Sequence, residues 1–297
     1  MSDIDKSSKI INFPAGSGTF IHIMRIPNHG THSSLHRHDF TELVIILDGY
    51  GSHKVDDEIY AIETGDVFVI LGDTAHGYLE TDHLSLINIL FYDEKLGLPL
   101  ADIADTPGYH ALFTLEPKLR KEGKFQNRLR LSTEDLGMAV KLVYRMEGEL
   151  EGTKYGKRYM ASGYLIQLIG FLSRCYSDIH VDQRVPVTQI SEVLGFLDRN
   201  FDQPVSIDQL AEIAHMSQTT LIRTFTKIVG RTPIDYLIRL RVSKAEQLLK
   251  SSNLNITEIA LRVGFSDSNY FSRQFRKVRR KSPREFRQEI QENSQFS

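Results

Sequence analysis

Apolar and polar positions alternate in the first third of the chain in the manner of β-strands. Short runs rich in β-branched and aromatic residues are separated by Gly and Asp, and the pair Asp56–Asp57 between two such runs predicts a hairpin turn. Strands of this length and spacing predict a small antiparallel barrel or sandwich. The predicted strands are Glu42–Leu47, Gly51–Val55, Glu58–Ile62, Asp66–Leu71 and Leu84–Tyr92.

The period of the pattern then changes to that of an α-helix. Apolar residues recur at helical spacing over Thr133–Leu150 and Tyr159–Tyr176, which predicts two helices with apolar faces. Those faces can pack either on the barrel or on a second copy of the chain, and the pattern does not choose between the two. The polar, proline-containing segment that follows, residues 179–188, predicts a linker.

From Ile190 onward the chain has helical periodicity, and one unit occurs twice. Ser206–Ser217 aligns with Asn255–Ser266 at an offset of 49 residues. Each copy begins with a capping residue, and Gln209 or Glu258 follows three positions later, which is the spacing of a capping box. A short helix, a turn and a second helix then follow in both copies, so the repeat predicts two helix-turn-helix units.

The second helix of each copy has a polar outer face whose side chains can hydrogen-bond base edges and phosphates. A helix of this size fits the major groove of DNA. The long segment Ile234–Lys250 joins the copies and would hold the two helices about one DNA turn, ~34 Å, apart. The predicted DNA contacts are Gln218, Thr219, Ile222, Arg223, Ser268, Asn269, Ser272, Arg273 and Arg276.

The charge distribution is consistent with this prediction without proving it. The net charge is -2, but Pro186 to Ser297 carries 17 Lys and Arg against 12 Asp and Glu, and the rest carries 19 against 26. The lone cysteine, Cys175, excludes an internal disulfide and is interpreted as a buried hydrophobe. The amino-terminal residues lack a signal-peptide core, and no apolar run has the length of a bilayer span. We therefore predict a cytoplasmic protein without a membrane partner.

Residues 190–290 resemble the AraC/XylS family of transcription regulators. The segment Ile259–Phe275, followed by Ser282-Pro283-x-Glu-Phe286, carries a specific match. The first copy matches less tightly: His215 stands where the family usually has Gly, and Ile222 replaces a polar residue. The first helix is therefore expected to read its groove partly through apolar contacts, such as those with thymine methyls. The resemblance implies double-stranded DNA and RNA polymerase as partners.

The motif Gly30-x5-His36-x-His38-x3-Glu42-x6-Gly49 resembles the first motif of the cupin barrel. The second motif is partial: Gly65 and His76 stand where expected, whereas Leu71, Asp73 and Glu80 depart from it. The four positions that bind metal in cupin enzymes are His36, His38, Glu42 and His76.

Three imidazoles and a carboxylate would suit Zn, Ni, Fe or Mn, so a divalent metal is one interpretation of this cluster. Sensor cupins use the same mouth to hydrogen-bond a ligand without metal, and both interpretations stay open. The predicted effector-binding residues are this cluster of four together with Arg37, Tyr78 and Asn88.

Residues 38–43, 65–70 and 76–78 also resemble the sensor domain of the L-rhamnose-responsive regulators of this family. That resemblance implies a monosaccharide effector such as L-rhamnose, activation of sugar-catabolism genes and a homodimer formed through the helical segment. Two alternatives remain. One is a metal-dependent cupin sensor or enzyme fused to a DNA-binding module, and the other is a constitutive DNA-binding protein whose barrel only dimerises.

The predicted fold class is therefore multi-domain, an N-terminal cupin β-barrel with appended helices followed by an all-α domain of two helix-turn-helix units. The predicted boundaries are 1–130 for the barrel, 131–178 for the dimerisation helices, 179–188 for the linker and 189–297 for the DNA-binding domain. The prediction is a regulator and not an enzyme, with no catalytic residues.

Overall fold

The computed structural model describes residues 9–13, 20–30, 34–92, 103, 106–121, 128–180 and 186–295. The chain divides into two compact units, Met1–Ser191 and Glu192–Ser297. No helix in the described ranges combines the length and the apolar character needed to cross a lipid bilayer.

The N-terminal unit is built on one eight-stranded sheet. Its two long strands, β4 and β7, pair with each other in antiparallel register; β2 and β3 pair with β7, and β5 and β6 pair with β4. At the edges, β1 pairs with β3 in parallel and β8 pairs with β6. This is the antiparallel, cupin-like barrel that the sequence predicts. The strands are β1 (Lys9–Ile10), β2 (Ile21–Ile26), β3 (His36–Arg37), β4 (Thr41–Val55), β5 (Glu58–Glu63), β6 (Asp66–Ile70), β7 (His76–Phe91) and β8 (Leu129–Arg130).

Strand β4 corrects the prediction of two separate strands at 42–47 and 51–55. The chain does not leave the sheet at Gly49; the pairing with β7 shifts register there and the strand bends. Gly49 has a φ of +80°, and a Cβ would lie 2.5 Å from backbone atoms of Asp82 and His83, so the bend needs a glycine. The predicted hairpin turn at Asp56–Asp57 is confirmed, because Val55 pairs with Glu58 across it.

The helices after the barrel pack on the outer face of the sheet. Leu43 and Ile45 of β4 share one apolar core with Val143, Met146 and Leu165 of the helices. The packing interpretation of the apolar stripes is therefore confirmed. A continuous helical stretch α1 consists of Pro107–Tyr109, a π-helical part His110–Leu115 and Glu116–Lys121, and it is followed by α2 (Thr133–Glu151) and α3 (Lys157–His180).

The C-terminal unit is all helical, and its helix starts agree with the caps in the sequence. Ser206 accepts a hydrogen bond of 3.2 Å from the N–H of Gln209, and Asn255 and Glu258 form a reciprocal capping box. The helices in the described residues 186–295 are α4 (Pro186–Arg199), which begins in the last residues of the N-terminal unit, α5 (Ile207–Ile213), α6 (Gln218–Val229), α7 (Pro233–Ser251), α8 (Ile256–Arg262), α9 (Ser268–Arg279) and α10 (Pro283–Gln295).

Helix α4 begins inside the predicted linker. Residues 186–188 belong to its first turn, because Pro186 has no N–H to satisfy and its fixed φ suits the start of a helix. Helix α3 likewise extends to His180. The middle of the predicted linker, 181–185, lies outside the described residues.

Candidate DNA interface and ligand pocket

Four of the predicted pocket residues, His36, His38, Glu42 and His76, meet at one cluster on the interior face of the barrel. Glu42 is 3% exposed, and its Oε2 lies 3.0 Å from Nε2 of His38 and 3.4 Å from Nε2 of His76. One ligating atom from each of His36, Glu42 and His76 lies within 4.8 Å of the other two. The structure thus brings together the four residues of the cupin motif.

Backbone carbonyls hold the three imidazoles in one tautomer. Nδ1 of His38 donates to the carbonyl of Phe40 at 2.8 Å, and Nδ1 of His76 donates to that of Thr74 at 3.0 Å. His36 makes a longer contact of the same kind, 3.4 Å to the carbonyl of Ser34. A neutral imidazole that donates through Nδ1 presents only a lone pair at Nε2.

Those Nε2 atoms of His38 and His76 face the Glu42 carboxylate, which repels a lone pair. The contact becomes favourable when a proton or a divalent cation lies between the atoms. Metal-ligating histidines also typically donate a hydrogen bond from the ring nitrogen that does not bind the metal, and this bond fixes the tautomer. The residues present therefore fit a divalent metal held by His36, Glu42 and His76, with His38 beside them.

Burial and neighbouring side chains together shift the pKa values of Glu42 and His36. Burial by itself raises the pKa of Glu42, but the close contacts with His38 and His76, which are favourable when a proton lies between the two atoms, outweigh it, and the pKa lies below its ordinary value. Burial lowers the pKa of His36 to about 4, helped by the neighbouring His76. The interior therefore holds a carboxylate and a neutral His36 near neutral pH.

The remaining predicted pocket residues divide into two groups. Tyr78 and Asn88 are buried on β7, and Asn88 pairs with Val44 on the interior face. Arg37 is a correction: its side chain is 39% exposed and forms ion pairs with Asp56 and Asp73. It follows His36 on the same strand, and successive side chains of a strand point to opposite faces.

Two buried features of this unit were missed at the sequence level. His53 lies on the interior face of β4, between the rings of Phe68 and Tyr78. In the same unit, the Tyr176 hydroxyl donates to Glu116 at 2.9 Å, with Arg120 buried nearby. Alternation along β4 could have indicated His53, whereas the pairing of Glu116 with Tyr176 spans 60 residues and leaves no local signal.

In the first helix-turn-helix unit, α6 presents three of the four predicted contacts along one shallow groove. Thr219, Ile222 and Arg223 line it, and Ile222 is 37% exposed, which supports apolar reading of bases. Thr226 and Lys227 extend the groove by one helical turn and were missed, although their helical spacing was available. Gln218 is exposed, and its side-chain amide donates to Asp208.

In the second unit, α9 exposes Asn269, Arg273 and Arg276. Ser268 is half-buried, and the Ser272 hydroxyl donates to the carbonyl of Ser268 at 2.8 Å, so that proton is not available to a base. This uneven exposure makes the asparagine and the two arginines the stronger candidates for contacts with DNA.

Replacing Arg273 by Ala is expected to weaken binding to the operator by ~1–3 kcal/mol, because Arg pairs bidentately with guanine in the major groove. Fluorescence anisotropy with operator DNA measures the change. Arg239→Ala is the control, since Arg239 is paired with Asp235 on α7. Equal affinities of the Arg273 variant and the wild type would remove Arg273 from the interface.

The turn of the first unit stores backbone strain that can be released. His215 has a φ of +51°, in the left-handed region, where its counterpart Gly264 has +88°. His215→Gly is expected to stabilise the helical unit by ~1 kcal/mol in urea unfolding. His215→Ala is the control, because it removes the imidazole and keeps the strained Cβ. A gain from both variants would assign the effect to the imidazole instead.

Comparisons with known proteins agree with the two units. Residues 18–169 match the family described as AraC-like ligand binding domain, and residues 210–289 match a helix-turn-helix domain. The HTH-type transcriptional activator RhaS of Enterobacter sp. (strain 638) is 31% identical over 276 residues, which cover 93% of this chain and 94% of the relative. The activator RhaR of Mannheimia succiniciproducens is 30% identical, covering 85% of this chain and 86% of the relative.

A solved AraC-type regulator from Chromobacterium violaceum is 31% identical over 34% of this chain and 91% of its own, with a TM-score of 0.33. The DNA-binding domain of AdpA, solved with a target DNA, is 30% identical over 35% of this chain and 95% of its own, with a TM-score of 0.34. The ligand-binding family matches the N-terminal part of the chain, the helix-turn-helix family matches the C-terminal part, and the RhaS relative covers both. The chain therefore belongs to the AraC family of DNA-binding transcription regulators.

Proposed function

We propose that this chain is a transcription activator controlled by a monosaccharide, such as L-rhamnose, that binds inside the barrel. One observation carries the proposal. The same chain has a cluster of buried polar side chains inside the barrel and two helix-turn-helix units with exposed polar faces. The resemblance of the barrel motifs to rhamnose-responsive sensors and the names of the activator relatives support the same assignment. We propose no catalytic role and a cytoplasmic location, where operator DNA is found.

The effector would act by shifting the equilibrium between inactive and DNA-competent arrangements, which requires that it bind the two with different affinities. Linkage is reciprocal, so operator DNA must raise the affinity for the effector by the factor by which the effector raises affinity for DNA. The shift would favour productive contact with RNA polymerase, the further partner that we propose.

Titration of the full chain with L-rhamnose, with and without operator DNA, tests this coupling. We expect tighter sugar binding with operator present, by the ~5–150-fold typical of allosteric coupling, and sugar-dependent transcription from a reporter. Sugar affinities that do not change with operator would contradict the coupling. Operator binding without any sugar response would instead support the constitutive alternative.

We also propose that the chain forms a homodimer through α2 and α3. Their apolar stripes are occupied by the barrel, but several large side chains remain exposed on the two helices and on the turn between them: Met138 and Tyr144 on α2, Tyr155 in the turn, and Tyr159 and Met160 on α3. Sedimentation of the full chain and of a Tyr155→Ser, Tyr159→Ser variant measures the state. A dimer unaffected by these changes would place the interface elsewhere.

A metal-loaded sensor is the second candidate, favoured by the tautomers at His38 and His76. Metal analysis after dialysis against Zn, Ni, Fe or Mn tests it, with Glu42→Gln expected to lower the bound metal. A protein that retains its fold and binds none of these ions would leave the cluster as a hydrogen-bonding site alone.

A further inference from the structure

Besides the Glu42 cluster (His36, His38, Glu42 and His76), the barrel interior contains the buried polar side chains of His53 and Asn88. His53 on β4 is 0% exposed, and neither ring nitrogen makes a hydrogen bond within the described part of the chain. Asn88 on β7 is 8% exposed, and its Oδ1 accepts no hydrogen bond from any described residue. Buried polar groups are nearly always paired, so two on one interior face need partners from outside the described residues.

Both groups lie beside the Glu42 cluster. The His53 ring is 5.9 Å from that of His76 and 5.1 Å from that of Tyr78, between their centroids. Asn88 is paired with Val44, two residues beyond Glu42 on β4, and so shares the interior face with Glu42. A molecule in contact with His76 and Glu42 is therefore within reach of His53 and Asn88.

The hydrogen-bonding capacity of these groups specifies what the molecule must offer. A neutral imidazole has one N–H donor and one lone pair, and neither nitrogen of the buried His53 ring has a partner among the described residues. Asn88 Oδ1 only accepts. A ligand that satisfies both residues must donate at least two hydrogen bonds and accept one.

Hydroxyl groups both donate and accept, whereas carboxylates and phosphates only accept. The rings of Tyr78 and Phe68 flank His53 and offer apolar contact to the C–H face of a compact ring. We propose that His53 and Asn88 bind the effector directly and select a polyhydroxylated molecule of monosaccharide size over acceptor-only anions. This rests on the proposed function, in that the ligand is the effector.

Calorimetric titration of the full chain tests the assignment. The hydroxylated probes are L-rhamnose, L-arabinose, D-xylose and D-galactose, and the acceptor-only probes are succinate and inorganic phosphate. The variants are His53→Phe, which keeps a ring of similar size without hydrogen bonds, Asn88→Leu, and His53→Gln, which keeps a donor and an acceptor. His83→Asn is the control, because His83 is exposed on β7, the strand that carries Asn88, and Asn tolerates the positive φ of this position.

We expect a hydroxylated probe to bind the wild type and the control equally, to bind His53→Phe and Asn88→Leu at least about tenfold more weakly, and to bind His53→Gln with intermediate affinity. The ligand-free His53→Phe protein is expected to melt no lower than the wild type, because it loses only unpaired groups. A structural histidine would instead lower that melting temperature and leave sugar affinity unchanged.

The other outcomes separate the two proposals. Sugar binding that is unchanged in His53→Phe and Asn88→Leu overturns this inference and leaves the proposed function standing. Binding of succinate or phosphate in preference to every sugar overturns the ligand class. If none of the hydroxylated probes binds the wild type, both the sugar effector and this inference are overturned.

Discussion

The N-terminal unit is expected to lose stability as the pH rises from about 5 to about 8, because Glu116 must lose its proton inside the core. Burial raises the pKa of this carboxyl to about 8, against the lowering influence of Arg120 and of the Tyr176 hydroxyl. The folded state therefore holds the proton more tightly than the unfolded chain does. The resulting stability is complete below the unfolded pKa of 4.5 and is lost as the pH rises through the folded pKa.

Glu116→Gln removes this titration and is expected to stabilise the protein relative to wild type by ~3 kcal/mol more at pH 8 than at pH 5, at ~1.4 kcal/mol per pKa unit. Urea unfolding followed by circular dichroism at each pH measures the difference between variant and wild type, which cancels the other titrating groups. Glu151→Gln, at an exposed position, is the control. Parallel pH curves for Glu116→Gln and wild type would show that Glu116 ionises as freely in the fold as outside it.

Gly264→Ala is expected to destabilise the helical unit by ~2–4 kcal/mol, because two effects add at this turn. The residue has a φ of +88°, and a Cβ would lie 2.8 Å from backbone atoms of Phe201 and Asp202. Backbone cannot move aside as a flexible side chain can. The turn joins α8 to α9, so operator binding by the second unit is expected to fall together with stability.

Gly230→Ala separates the two effects. Gly230 also has a left-handed φ, +82°, but a Cβ there meets nothing within 4 Å. Its substitution is expected to cost only the conformational term, ~1 kcal/mol. Urea unfolding of both variants measures the difference. Equal losses would mean that Phe201 and Asp202 move away without cost and that only the backbone angle matters at Gly264.

The helical half of the protein was predictable in detail because its signals are local. A cap and the residue three positions later interact across one turn, as Asn255 and Glu258 do, so the sequence places the helix start without knowledge of the fold. The offset of 49 residues then indicated a duplicated unit. The exposed face of α9 also followed from helical spacing, although the bond from Ser272 to the carbonyl of Ser268 did not.

For the barrel half, the sequence predicted the fold class, but it did not predict that β4 continues as one strand through Gly49. The spacing of His36, His38 and Glu42 indicated a shared site, and the structure brings them to His76. The bend of β4 at Gly49 was read as a strand end, because a bulge and a turn use the same residues. Arg37 is predicted as a pocket residue, whereas alternation along the strand turns its side chain outward.

By itself, the sequence determined the class of each half and the repeated DNA-binding unit, since these depend on residue type and short spacing, and the resemblance of its motifs to the cupin barrel indicated the His and Glu cluster. Only the tertiary structure decided which distant groups meet. Tyr176 bonds to Glu116 across 60 residues, and His53 faces His76 because β4 and β7 lie side by side. Such pairs depend on strand register and helix docking, which are set by packing of the whole core and not by any neighbouring residue.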